Sequence, residues 1–202
     1  MINVKKQKVI MCLVLAAALF ISCSFGMKKF EAVGLPPTVL TEDFGKGKPG
    51  VEVIVNKLED KRKENWVVEI HFGTKPKYVE FDQSVDLQGR ISNTIASELE
   101  RAGFKVIRGE NQTDPIRPVL SGTIVRYSAV FKQVHTAEIS LDITLTKGDN
   151  VLLQETYVSI EERKAQASLN GPKIFDEMMR LAWGRILSQM IPEIIETINK
   201  NS

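Results

Sequence analysis

The chain has 202 residues, 27 basic and 25 acidic side chains, 43% hydrophobic residues and two cysteines. This is enough for one domain with a substantial core. The near-balance of charge leaves no basic surplus to suggest nucleic acid and no acidic excess to suggest a charged tail.

Lys5, Lys6 and Lys8 form a basic stretch, and Val9 to Ile21 is an apolar run interrupted only by Cys12. That is the layout of a secretory signal peptide. The run is shorter than the roughly 20 apolar residues a membrane-spanning helix needs, so residues 1–22 are expected to be removed. At its end stands Phe20-Ile21-Ser22-Cys23, followed by Ser24. The stretch resembles the lipobox of bacterial lipoproteins, with Phe20 where Leu is usual. The resemblance implies lipid on Cys23, cleavage before it and acylation of the new amino terminus. Two or three acyl chains give durable attachment, since each buried methylene adds roughly 0.8 kcal/mol. An ordinary cleaved signal with a stray core cysteine, or an uncleaved anchor, is the alternative.

Removal of the signal leaves 24 basic against 25 acidic residues, a net charge of −1. It also takes Cys12, and lipid would consume Cys23, so no disulfide, zinc site or cysteine nucleophile can be built from the remainder. Residues 23–50 contain Gly26, Gly34, Pro36, Pro37, Gly45, Gly47, Pro49 and Gly50. They read as a lipidated, flexible tether with room for one short pairing strand. Gly45-Lys46-Gly47-Lys48-Pro49-Gly50 lacks the spacing and the Gly-Lys-Ser/Thr ending of a phosphate loop.

Residues 51–202 read as a single α+β domain. Val51 to Leu58 predicts a strand buried on most of both sides, and Trp66 to Phe72 a half-exposed one. Between them, the charged run from Glu59 to Glu64 reads as a solvated turn, with a polar site at Asp60, Lys61 and Arg62 as the alternative. Gly73 to Phe81 reads as a loop displaying Lys75, Lys77 and Tyr78. Leu87, Ile91, Ile95 and Leu99 recur every four residues, so a helix is expected there, capped by Ser84 or Asp86 and stopped by Gly103. Phe104 to Arg108 predicts a short strand, and Gly109 to Pro118 a polar loop.

Val119 to Phe131 is β-rich, and Ala137 to Thr146 alternates apolar with polar residues. Lys147-Gly148-Asp149-Asn150 is a turn signal, after which Val151 to Ile160 returns as a partner strand. These three predict an antiparallel meander with one wet face. From about Lys173 a second helix is predicted by Phe175, Met178, Ala182, Ile186 and Met190, with Pro192 kinking or restarting it. The expected fold is a two-layer α+β domain: a mostly antiparallel sheet of about five to six strands, with two amphipathic helices on one face.

The sequence carries no nucleophile-elbow or His-Glu-x-x-His motif and implies no cofactor and no metal site. His71 and His135 lie far apart and read as ordinary surface or sheet histidines, and Glu161-Glu162-Arg163-Lys164 as a strand end meeting water. Met178, Met179 and Met190 read as core at helical spacing, with an adaptable binding surface as the alternative.

The lipobox, the tether, a Val-rich strand ending in Asp60-Lys61-Arg62, a striped helix closing on Ala102-Gly103-Phe104-Lys105-Val106, the meander and the long last helix together resemble the YajG-type bacterial lipoproteins. The layout is also similar to auxiliary lipoproteins of ABC-type lipid transporters. The resemblance implies a periplasm-facing, non-enzymatic domain held to a membrane by Cys23, with an envelope or transporter protein as partner. Ser24 favours the outer membrane over the inner. Direct lipid handling within an ABC-type system is the alternative function, and a hydrolase a remoter third. Lys75, Lys77 and Tyr78 are the candidate binding residues, because a basic loop with an amphipathic aromatic suits a partner or headgroup.

Overall fold

Period-two alternation sets which side chains face a core, but the backbone N–H and C=O groups of each strand must still find partners. The computed structural model, which describes residues 44–71, 75–80, 85–165 and 171–202, gives those partners. In chain order the elements are β1 (Glu52–Asn56), β2 (Glu59–Asp60), β3 (Trp66–Ile70), β4 (Lys77–Glu80), α1 (Leu87–Arg101), β5 (Lys105–Gly109), β6 (Val119–Phe131), β7 (Val134–Lys147), β8 (Asn150–Lys164) and α2 (Gly171–Lys200).

All eight strands belong to one sheet, and the 13-residue β6 is its axis. Along one edge β6 pairs antiparallel with β7 from Val119↔Thr146 to Phe131↔His135, and β7 pairs in turn with β8. Along the other edge it is parallel to three successive segments. Ile54 and Val55 of β1 face Val119 and Leu120, Glu59 and Asp60 of β2 face Thr123 and Ile124, and Val68 to Ile70 of β3 face Ala129 to Phe131. The outer flank is β5, parallel to β1, and β4, antiparallel to β3.

The predicted meander of β6, β7 and β8 is present, with its wet face carrying exposed Asp142 and Thr156, whose side chains are hydrogen-bonded at 2.7 Å. The sheet as a whole differs from the expectation. It is a curled, mixed sheet of eight strands, not a two-layer, mostly antiparallel one of five to six. The parallel half comes from long-range pairing of β1, β2 and β3 with β6, which alternation within a strand does not encode. Two of the extra strands also lie where polar sequence suggested none: β2 in the charged turn, and β4 within the span read as a loop from Gly73 to Phe81.

Helix α1 buries Leu87, Ile91, Ile95 and Leu99, as its spacing predicts. Asp86 is the cap, its carboxylate accepting from the Gly89 amide at 2.9 Å. At the other end Gly103 takes a φ of +104°, Phe104 N donates to Leu99 O and Gly103 N to Glu100 O. That pair of bonds is a Schellman closure, and it turns the chain directly into β5.

Helix α2 runs as one helix through Pro192, so of the expected kink or restart the restart does not occur. The amide that proline lacks would have bonded Ser188 O, and Ser188 is exposed, so water can serve that carbonyl. Buried residues come in adjacent pairs at 174/175, 178/179, 182/183, 186/187, 190/191 and 194/195. A four-residue repeat on a helix of 3.6 residues per turn advances by about 40° at each step. The buried stripe therefore winds round the helix axis, which matches a sheet that curls.

One core results, shared by both helices and the sheet, with Trp183, Tyr127, Phe175, Ile139 and Leu141 fully enclosed. The winding stripe makes a direct prediction. Trp183→Ala should lower the urea-unfolding free energy by about 3–5 kcal/mol. Leu181→Ala, two residues away and half exposed, should change it by no more than about 0.5 kcal/mol.

Candidate functional site

Parallel strands joined by a crossover helix leave a crevice beyond their carboxyl ends, a usual place for ligands in such units. Here β1, α1 and β5 form that unit. The crevice is an open cleft of about 520 Å³ whose lining includes Lys57, Asp86, Ser92, Asn93, Arg108 and Gln112. Gly109 leaves room for the Asn56 and Gln112 side chains to close on the strand, because a Cβ there would lie 2.7 Å from the Asn56 side-chain oxygen.

Most polar groups of the cleft are already engaged with neighbours, the exposed Glu110 at its rim apart. Buried Asn56 donates to Gln112 O at 2.8 Å and accepts from Gln112 N at 2.9 Å, fastening the loop after β5 to the end of β1. Ser92 Oγ accepts from Leu58 N at 2.9 Å and donates to Gln88 O. Lys57 Nζ lies 3.0 Å from Asp86, whose carboxyl is held below the usual carboxylate range by the Gly89 amide and then by Lys57. Arg108 grips Glu100 with two bonds, at 2.6 and 3.1 Å, and reaches Asn93 at 3.2 Å. The cleft is thus a hydrogen-bonding surface, and its lining contains neither a nucleophile–base pair nor a pair of unpartnered carboxylates.

A second polar cluster lies at the margin of the core. Arg62 bonds Asp60 through Nε at 2.9 Å and Nη2 at 2.8 Å, and its side chain is only 10% exposed. Burial acts to raise the Asp60 pKa, but the hydrogen bonds from Arg62 outweigh it and hold the carboxyl below its usual value. The field of Arg62 also reaches the hydroxyl of enclosed Tyr127, which accepts from Trp183 Nε1 at 3.4 Å and whose ionisation is suppressed mainly by burial. The solvated-turn reading therefore fails for Arg62, while Lys61 stays in water beside Glu59. Pairing of β2 with β6 turns alternate residues of this segment inward, and nothing in its composition signals that.

The strand end at Glu161 is likewise not simply wet. Glu161 is buried against Arg185 of α2 at 2.8 Å, Arg163 pairs with Glu177 at 2.7 Å, and Tyr157 donates to Glu193 at 2.7 Å. These three contacts form a polar seam between β8 and α2. Met178, Met179 and Met190 are buried core residues.

Of the sequence candidates, Cys23 lies outside the described residues. Lys75, Lys77 and Tyr78 are all exposed, with Lys77 and Tyr78 on β4 rather than in a loop. Tyr78 stacks at 5.6 Å on Trp66. His71 bonds Glu69 at 2.6 Å, and His135 packs edge-on against Phe131, whose carbonyl accepts from His71 N at 2.9 Å, so the sheet brings the two histidines to either side of one residue. Among the described residues no cluster of His, Cys, Asp or Glu could hold a metal ion, and no helix is long and apolar enough to cross a membrane.

The sequence matches no family model and no curated protein. Among solved structures, the fold is similar to a Xanthomonas campestris protein of the family designated DUF330, with a TM-score of 0.55 and 12% identity over 78% of this chain and 94% of that one. A hypothetical protein from Chlamydia trachomatis gives 0.49 and 12% over 77% and 100%. A lipoprotein from Neisseria meningitidis gives 0.38 and 13% over 75% and 99%. At such identities the likeness is one of fold, and the YajG-type resemblance is not specifically supported by it.

Two outcomes follow from the ionic contacts. Arg62→Met, which strands the Asp60 carboxylate, should lower the unfolding free energy by about 2 kcal/mol, against about 0.5 kcal/mol or less for Lys61→Met. Asp114 accepts from the amides of Ile116 and Arg117 and from the Arg117 guanidinium, first among the causes that lower its pKa to about 2. Its contribution is present above the unfolded value near about 3.9 and is lost as pH falls through the folded one. Stability measured by urea unfolding should therefore drop between about pH 4 and pH 2, and less steeply in Asp114→Asn.

Proposed function

We propose that this chain is a bacterial envelope lipoprotein, held at a membrane through lipid on Cys23, whose folded domain acts by binding rather than by catalysis. The observation that carries the reading is the order of basic stretch, apolar run, small residue and Cys23, followed by a Gly- and Pro-rich segment before the domain. The shared fold with the DUF330 protein is compatible with it.

The entry of the chain into the domain supports the same arrangement. Gly47 N donates to Ala102 O at 2.8 Å, Lys48 N donates to the Asn199 side chain at 2.9 Å, and the Phe44 ring lies 5.6 Å from the Arg101 guanidinium. These contacts tie the start of the domain to the carboxyl ends of both helices. A lipid-anchored chain would then hold the domain by that end and present the other.

Direct lipid handling would need an apolar groove between sheet and helices. Among the described residues that space is filled by Tyr127, Phe175, Trp183, Ile186 and their neighbours, and the cleft beside α1 is polar. A binding role as an accessory to an envelope or transport complex is therefore the better reading, with the outer membrane favoured by Ser24.

Labelled palmitate fed to an expressing bacterium should enter the protein and remain with its membrane fraction. Cys23→Ala should lose the label and release the protein from membranes. Undiminished labelling of that variant, or none in the natural chain, would overturn the anchor. Separation of inner from outer membranes decides between the two.

A further inference from the structure

The ladder registers run in one unbroken row across the sheet, Lys77↔Ile70↔Phe131↔His135↔Arg163. This row marks the end of the domain opposite the entry of the chain. The antiparallel course of α2 on β8 sets the helix start at the same end, through Arg163–Glu177, and its finish at the entry end, where Lys147 reaches Asn201 O. The 13 residues of β6 separate the two ends by about 40 Å.

Beyond or in this last row stand Lys75, Lys77, Lys132 and Lys164, all exposed. Among the described residues no carboxylate lies within ion-pair distance of any of them. The carboxylates of this end are level with the row or behind it: Glu69 bonds His71, Glu177 bonds Arg163, and Asp176 and Glu162 adjoin them. Val134, 42% exposed, sits at the tip between Lys132 and its ladder partner Lys164, and half-exposed Tyr78 lies one row in, braced by Trp66.

We infer that this far end is a docking surface for an anionic lipid bilayer. Unpaired lysines attract anionic headgroups, while an exposed aliphatic tip and an amphipathic aromatic ring suit the headgroup boundary. A protein partner would be better served by a broad apolar patch, and the exposed large apolar side chains closest to this row are Val134 and Tyr78. The surface joins residues from three separate stretches of sequence, and it includes the Lys75, Lys77 and Tyr78 picked out from sequence alone. With the lipid anchor at the entry end, the domain would span between two bilayers. That geometry rests on the proposed lipoprotein function, whereas the affinity of the far end for lipid does not.

The test uses the full chain acylated at Cys23 and reconstituted in phosphatidylcholine vesicles, mixed with labelled acceptor vesicles. Acceptors of phosphatidylglycerol in phosphatidylcholine should be captured, acceptors of phosphatidylcholine alone should not, and added salt should weaken capture by screening. Each Lys→Gln change at 75, 77, 132 or 164 should lower capture about fivefold, and Val134→Ser should lower it further without altering the unfolding transition. Absence of capture, or capture unchanged in the fourfold lysine variant, overturns the inference. So does binding to an anionic polysaccharide in place of the vesicles. Should Cys23 carry no lipid, the anchor reading fails by itself, and cosedimentation of the unacylated chain with the anionic vesicles tests the far end directly.

Discussion

A β-strand inside a sheet has two rows of backbone donors and acceptors, and each row left unpaired away from water costs as much as the lost bonds themselves. For β6 the demand spans 13 residues on both edges. One edge is met by a single antiparallel strand, β7, delivered by a tight turn. The other is met in pieces by β1, β2 and β3, which the chain lays down in sequence as it runs parallel to β6 and leaves twice between them. The rest of the molecule is arranged around that solution. β5 and β4 flank the piecewise edge, α1 crosses from the β1–β4 segment to β5, and β8 with α2 completes the other side.

The interrupted edge also explains how charge enters the fold. Where the chain rejoins β6 as β2, Asp60 and Arg62 come with it, and the arginine is carried to the neighbourhood of Tyr127 and Trp183. On the opposite side, β8 is a sheet edge whose inward face is not wholly apolar, and α2 answers Tyr157, Glu161 and Arg163 with Glu193, Arg185 and Glu177. Such pairs add little net stability beside an apolar packing of equal shape, and breaking one costs far more than it contributes. They act as register marks, because sliding α2 along β8 would separate all three together.

The two ends of the domain are chemically different. At the entry end the chain, the helix carboxyl ends and the β7–β8 turn are fastened by hydrogen bonds, from Gly47 N to Ala102 O and from the Lys147 ammonium to Asn201 O among them. At the far end the ladder stops in exposed lysines and an exposed valine. The polar cleft beside α1 lies between them, with Lys57 paired to Asp86 and Arg108 to Glu100, so it offers a ligand shape and hydrogen bonds more than unpaired charge.

The sequence by itself determined the helices and the meander, because those depend on local chemistry: four-residue apolar repeats, the Asp86 cap, the Gly103 stop and the turn at residues 147–150. It also carries the basic stretch, apolar run and Cys23 on which the proposed anchor rests, which are linear features, and it singled out Lys75, Lys77 and Tyr78. Only the tertiary structure decided that β1, β2 and β3 run parallel to β6, since strand direction is fixed by partners distant in the chain. The same distance hid the burial of Arg62 and of Glu161, which look like surface charges until a neighbouring strand or helix covers them. It also kept Lys132, Val134 and Lys164 from being read together with Lys75 and Lys77, for they share a surface only once the rows of the sheet are in register.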